Sequence, residues 1–390
     1  MRRRDFLKIA AGSAVATALT PGPLRAQAGA GRARKAAPRF DEEAIAKIER
    51  HLPALMRERS VPGVGLGVVH DGRLVWQRGF GRMDASSPAP VDDHTVFEAA
   101  SVSKTVFAYA ALKLCEHGVL ALDTPLIRYT RKPFVEGDAR IERVTARHAL
   151  SHTTGFPDWR TSLALKLEAE PGARFLYSGE GYYYLQSVIT ELAGNTFDAP
   201  RGRYEADFEV GATDFDAFMR RSLLDPLGMT ASGYLWRDGF EGRAARPHGT
   251  RGEPLVKKKP NAADVARYGA VGELRTTVSD YAKFLIAVLT LPPGDALLTA
   301  AMRDEMIRPQ TKLGAEKIDG ADSWALGWAI QERPTGHVIL HSGGQSGFRS
   351  LTMASVERRS GFVIFTNSDN GGYVCYDPVL GELLTPLLAG

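Results

Sequence analysis

The 390 residues are 44% hydrophobic and 24% charged, the balance of a soluble globular chain long enough for one large domain or two ordinary ones. A formal charge of +4 and a pI near 9.0 suggest a polyanionic partner, but the excess positive charge sits ahead of the fold. Two cysteines, Cys115 and Cys375, are too few for a disulfide-built scaffold.

Residues 1–28 read as an export signal. Arg3-Arg4-Asp5-Phe6-Leu7-Lys8 is a twin-arginine pattern, an apolar run from Ile9 to Leu19 follows, and Ala26-Gln27-Ala28 forms a small-x-small cleavage site. The run is about half the ~20 residues a bilayer span needs, so no permanent membrane anchor is expected. Cleavage after Ala28 would remove five positive charges and one negative, bringing +4 to zero and taking away the main support for a nucleic-acid partner. The expectation is a periplasmic or secreted protein passed through the twin-arginine machinery. Such cargo folds before export, so Cys115 and Cys375 read as two buried thiols rather than a bridge.

Residues 29–40 read as a linker, and residues 41–390 as a single domain. From Asp41, Ile45, Ile48, Leu52, Leu55 and Met56 recur at helical spacing up to Ser60, with a bend allowed at Pro53. Val64–His70 and Arg73–Phe80 are strands joined by Asp71-Gly72, a strong hairpin signal. Gly63, Gly65 and Gly67 lie within a strand rather than opening a helix, which argues against a dinucleotide loop. Helices are expected at 101–117, 145–151, 180–193, 214–224, 279–290 and 297–308, with Asp198–Gly211 as a surface insertion. Strands return at Trp324–Gln331, His337–His341, Gly347–Met353 and Phe362–Thr366, before a terminal helix from about Val374 to Leu387. The order predicts an α/β (α+β) fold. Its antiparallel sheet is built from both chain ends (41–100 and 320–390) and flanked by helices, with a mostly helical region, 101–319, inserted between its halves.

Ser101-Val102-Ser103-Lys104 opens the first helix of that region. Three residues apart, Ser101 and Lys104 share a face, and the helix N-terminus offers oriented N–H groups to a developing oxyanion. A base at Lys104 must lose its proton, which takes about 4–5 kcal/mol of burial and neighbouring charge. The tetrapeptide alone fits a solvated helix face equally well.

More motifs follow in order. Ala100-Ser101-Val102-Ser103-Lys104-Thr105 is followed by Leu150-Ser151-His152-Thr153-Thr154-Gly155-Phe156-Pro157, then by Pro171-Gly172 and Phe175-Leu176-Tyr177-Ser178-Gly179. Pro226-Leu227-Gly228-Met229, Gly272–Asp280 and His341-Ser342-Gly343-Gly344 complete the set. Together, over residues 41–385, they resemble the serine β-lactamase and penicillin-binding protein superfamily, in its class C-like and esterase branch. The resemblance implies that Ser101 is the acylated nucleophile and that Lys104 and Tyr177 handle its proton. It places the oxyanion hole at the backbone N–H groups of Ser101 and Gly344. His341, Ser342, Gly343 and Gly179 then bind substrate, and neither metal nor cofactor is required.

Two departures bear on the substrate. The family's Tyr-x-Asn is Tyr177-Ser178-Gly179, which lacks the amide that steadies the lysine and pairs with a substrate amide; a water or Glu180 would have to substitute. The lysine of Lys-Thr-Gly is His341, a cation only below its ordinary pKa of ~6.5. If His341 binds a carboxylate, affinity should fall as pH rises through that value. Both changes favour an esterase, amidase or peptidase acting on a small molecule or peptide. A D,D-peptidase or β-lactamase using the same residues is the enzymatic alternative, and a non-catalytic cell-wall or peptide-binding protein the other. His148 and His152, four apart, lack a third zinc ligand at suitable spacing.

Overall fold

The computed structural model describes residue 40 and residues 42–130, 134–160, 165–193, 204–256, 259–291, 297–314, 317–334 and 336–388. The expected export signal and nearly all of the linker lie outside these residues, as do the first six residues of the expected insertion.

Helix α1 (Glu42–Glu58) runs through Pro53 and buries Ile48, Leu52, Leu55 and Met56, the stripe its spacing predicts. Strands β1 (Gly63–His70) and β2 (Arg73–Gly81) turn on Asp71 and Gly72, at φ 47° and 73°, the two left-handed positions such a hairpin needs. The later strands are β5 (Thr311–Lys312), β6 (Ser323–Trp324), β7 (Ala329–Arg333), β8 (Gly336–Gln345), β9 (Phe348–Ser355) and β10 (Ser360–Thr366). They join the hairpin in one eight-stranded antiparallel sheet, ordered β2-β1-β10-β9-β8-β7-β6-β5. Val64 opposite Thr366 closes the two chain ends on each other. A separate two-stranded ladder pairs β3 (Phe97–Glu98) with β4 (Arg275–Thr276).

Both faces of the sheet are covered, which is why β1 is buried along nearly its whole length. Val64, Leu66 and Val68 pack outward with α1 and the C-terminal helices α9 (Gly372–Cys375) and α10 (Pro378–Leu384). On the other face, Gly65 and Gly67 admit α7 (Val278–Thr290): a Cβ there would meet Val278 methyls at 2.8 and 2.5 Å. Close helix-on-sheet packing, and not a phosphate, accounts for these glycines.

The helical region centres on α2 (Ser103–Glu116), whose residues 103–114 are all buried. Burying each of its Phe and Leu side chains contributes roughly 1.5–3 kcal/mol. Around it stand α3 (Ala146–Leu150), α4 (Gly179–Ala193), α5 (Tyr204–Met219), α6 (Ala262–Gly272) and α8 (Ala300–Ile307).

Several expectations change. Residues 204–211 of the expected insertion are the first half of α5. Helix α6, capped by Asn261 on the Asp264 N–H, was not anticipated. The expected strand Trp324–Gln331 is β6 and β7 with a turn between them, made at Gly327 with φ 89°. The terminal helix is broken at Asp377-Pro378, where Asp377 caps α10. Cys115 and Cys375 are both free thiols. Among the described residues no helix is long and apolar enough to cross a membrane.

Candidate active site

The nucleophile candidate stands in a 3-10 turn, Ala100–Val102, immediately ahead of α2. Ala100 takes φ 49°, a left-handed conformation that costs an L-residue about 1–2 kcal/mol. Surrounding bonds hold the turn in place. Ala99 donates its N–H to Leu274 O at 2.9 Å, Ser350 Oγ donates to Ala99 O at 2.8 Å, and Ser103 Oγ accepts the Leu274 N–H at 3.2 Å.

Lys104, in the first turn of α2, is fully buried, whereas Ser101 remains partly exposed. Its Nζ donates to Ser101 Oγ at 3.1 Å and to Val271 O, near the end of α6, at 2.9 Å. The amine also lies 5.1 and 5.6 Å from the ring centres of Tyr177 and Tyr182. Burial pulls its pKa down to about 7, partly opposed by the Asp158 carboxylate. A cation near a helix N-terminus is further disfavoured by the helix dipole. A buried amine that is half neutral near pH 7 can take a serine proton.

Burial holds the Tyr177 phenol above the ordinary range, only partly offset by the neighbouring Ser101 hydroxyl. A phenol so raised stays protonated at neutral pH, so base work falls to Lys104 and Tyr177 is left to pass a proton on. Its ring is stacked on His152 at 4.2 Å, with Trp324 edge-on at 5.8 Å. His152 is itself buried and accepts the Ser178 N–H on Nδ1 at 3.0 Å. His148 accepts the Thr145 N–H on its own Nδ1, closing a capping box on α3. The two histidines thus serve separate structural bonds rather than one metal.

The motif His341-Ser342-Gly343-Gly344 lies on β8. At Gly343 a Cβ would sit 2.8 Å from Ala99 O and 3.0 Å from Ser101 N, so the strand is packed directly against the nucleophile's turn. His341 is buried beside Tyr177 and Trp324, with ring centres 6.5 and 5.4 Å away, and its Nδ1 bonds to Ser342 O at 2.6 Å. Burial, reinforced by Lys104, lowers its pKa to about 3. The expected titration near 6.5 is therefore corrected: from pH 5 to 8 His341 is neutral and offers a carboxylate no charge. KM for an anionic ester is expected to stay flat over that range in both the wild type and His341→Gln. A KM that rises through pH 6.5 only in the wild type would show a charged imidazole.

The missing amide of Tyr-x-Asn is not supplied by Glu180. That carboxylate is bound by Arg160 through Nε at 2.9 Å and through the Arg160 N–H at 3.1 Å. What stands at Gly179 is Asp158 and Trp159. Asp158 Oδ1 accepts the Gly179 N–H at 2.9 Å, and a Cβ on Gly179 would be only 2.6–2.9 Å from the Trp159 benzo ring. Neither residue was anticipated, although both directly follow the Leu150–Pro157 motif. Arg349, beyond β8, pairs with Asp369 at 3.2 Å and donates to Gln345 O and Phe348 O.

With nucleophile, buried amine and phenol joined on this sheet-and-helix frame, the comparisons with known proteins agree. The family described as Beta-lactamase matches residues 48–384, and the chain belongs to it. Penicillin-binding protein 4* of Bacillus subtilis is 22% identical over 321 residues, covering 76% of this chain and 66% of its own. Esterase EstB of Burkholderia gladioli is 32% identical over 117 residues, 29% of each chain. The chain thus spans less than two thirds of these relatives' length. Among solved structures, an octameric penicillin-binding protein homologue from Pyrococcus abyssi superposes with a TM-score of 0.70 at 23% identity. That match covers 87% of this chain and 76% of the other. Homologues in this family are serine hydrolases, which supports a hydrolase here.

Proposed function

We propose that the protein is an exported serine hydrolase that cleaves esters through an acyl-enzyme on Ser101. The observation that carries this reading is the fully buried Lys104 amine, 3.1 Å from Ser101 Oγ and with its pKa near 7. The neutral amine takes the Ser101 proton as Oγ bonds to the carbonyl carbon, and the carbonyl electron pair moves onto oxygen. The backbone N–H groups of Ser101 and Gly344 receive that oxyanion. Its collapse breaks the bond to the leaving oxygen, which takes a proton through Tyr177, itself reprotonated from Lys104. Water then attacks the acyl carbon, gives its proton to the same pair, and frees Ser101 and the acid. Gly179 in place of an amide and a neutral His341 favour esters over β-lactams or D-alanyl peptides, whose carboxylate and amide would go unmatched.

Export rests on the order of parts in residues 1–28. One experiment addresses both claims: recover the protein from an expressing cell's periplasm or medium, treat it with a fluorophosphonate, and map it by mass spectrometry. The expected product begins near Gly29 and carries one adduct, on Ser101, absent from Ser101→Ala. An adduct elsewhere, or ester turnover surviving Ser101→Ala, would sink the mechanism. A chain retained in the cytoplasm with residues 1–28 intact would sink export.

A further inference from the structure

The loss of the amide at position 179 is matched by a gain beside it. We infer that Trp159 is the specificity-determining wall of the acyl subsite, occupying the space of a side chain at position 179 and selecting esters whose acyl group presents a flat apolar face. The inference rests on the hydrolase reading above.

The segment carrying Trp159 is tied to the N-terminus of α4. Ser178 Oγ donates to Pro157 O at 2.7 Å, and the Gly179 and Glu180 N–H groups reach Asp158 O at 3.0 and 3.1 Å. Arg160 is locked to the buried Glu180 carboxylate, so both neighbours of Trp159 are fixed. The indole therefore has a set position. Its benzo ring closes over Gly179, two residues from Tyr177, and its edge meets the Tyr268 ring at 5.3 Å and 86°. Tyr268 is on α6, one turn before Val271, whose carbonyl holds Lys104. Both contacts of the indole thus stand on backbone that positions the reacting groups.

Trp159 nonetheless keeps 44% of its surface exposed, unusual for a residue so firmly seated. An open indole surface over Gly179, two residues along the chain from Tyr177, is a stacking platform for an aryl or broad apolar group. Its ring face cannot return the hydrogen bonds that an amide-bearing acyl chain requires.

The test compares nitrophenyl phenylacetate with nitrophenyl acetate. In Trp159→Ala the phenylacetate-to-acetate ratio of kcat/KM is expected to fall roughly tenfold, with recovery in Trp159→Phe. Gly179→Asn alone should lose turnover of both esters, since its side chain meets the indole. Gly179→Asn combined with Trp159→Ala should regain turnover and shift preference towards N-acylglycyl esters. An unchanged ratio in Trp159→Ala, with Ser101 still labelled, overturns the subsite and leaves the hydrolase. If no form turns over ester or labels Ser101, the hydrolase reading fails. Calorimetric binding of phenylacetamide then decides the subsite: tenfold weaker in Trp159→Ala supports it, equal affinity overturns it.

Discussion

Replacing Lys104 by methionine is expected to abolish hydrolysis and at the same time make the protein more stable. The two effects share one cause. A wholly buried amine with its pKa near 7 instead of 10.5 is costly to keep in the fold, by an amount on the order of 5 kcal/mol where it must carry a proton. The sign follows from proton counts: between pH 7 and 10.5 the unfolded chain holds a proton that the folded chain has released. Stability therefore rises with pH across that window, and the full penalty is felt below pH 7. Methionine fills a similar volume without charge, but leaves Val271 O without the donor it has at 2.9 Å. The net gain expected by chemical denaturation is about 2–4 kcal/mol at pH 6, shrinking towards pH 10. Turnover should drop by about 10³-fold or more with the base gone. Wild-type kcat/KM should lose tenfold per unit as pH falls below 7. An acid limb near pH 4 would mean that an amine titrating near 7 is not the base, and a variant less stable than the wild type at pH 6 would mean that the buried cation carries no net penalty.

Much of this site could be read in the sequence because its parts are local. Ser101 and Lys104 are one helical turn apart, Tyr177 lies in a recognisable segment just ahead of α4, and the β8 glycines sit in a short motif. The closure of the sheet from both ends followed from strand patterns at each terminus. What escaped was set by tertiary packing. The pKa of His341 depends on burial against Tyr177 and Trp324 and on Lys104, and residue type alone gives only the ordinary value. Trp159 became informative only when Gly179 lay beneath it, twenty residues away in sequence. Helix α6 is weakly marked because its eleven residues hold two glycines and few large apolar side chains to show a period, yet Val271 O on that helix accepts from the Lys104 amine. Segments that present backbone atoms to a site carry little side-chain signature.

Gly343→Ala is the substitution expected to do most damage with fewest atoms. The added methyl would lie 2.3 Å from Ser350 Oγ, 2.8 Å from Ala99 O and 3.0 Å from Ser101 N. Ser350 Oγ has another duty, donating to Ala99 O at 2.8 Å, and cannot turn away without releasing the turn that holds Ala100 at φ 49°. The backbone atoms can yield only if β8 moves off the nucleophile. Since Ser101 and Gly344 are the proposed oxyanion donors, that movement separates them. The expected result is a 10²–10³-fold fall in kcat, with a stability cost of about 1–3 kcal/mol. Gly344→Ala is the contrasting case: its nearest neighbour is Arg349 Cδ at 3.4 Å, part of a flexible chain, so the loss should be at least tenfold smaller by the scale of a single relaxed contact. Ester turnover and chemical denaturation of the two variants, measured side by side, check the claim. Equal losses at both positions would show that strand β8 does not set the oxyanion geometry through contact with the Ser101 turn.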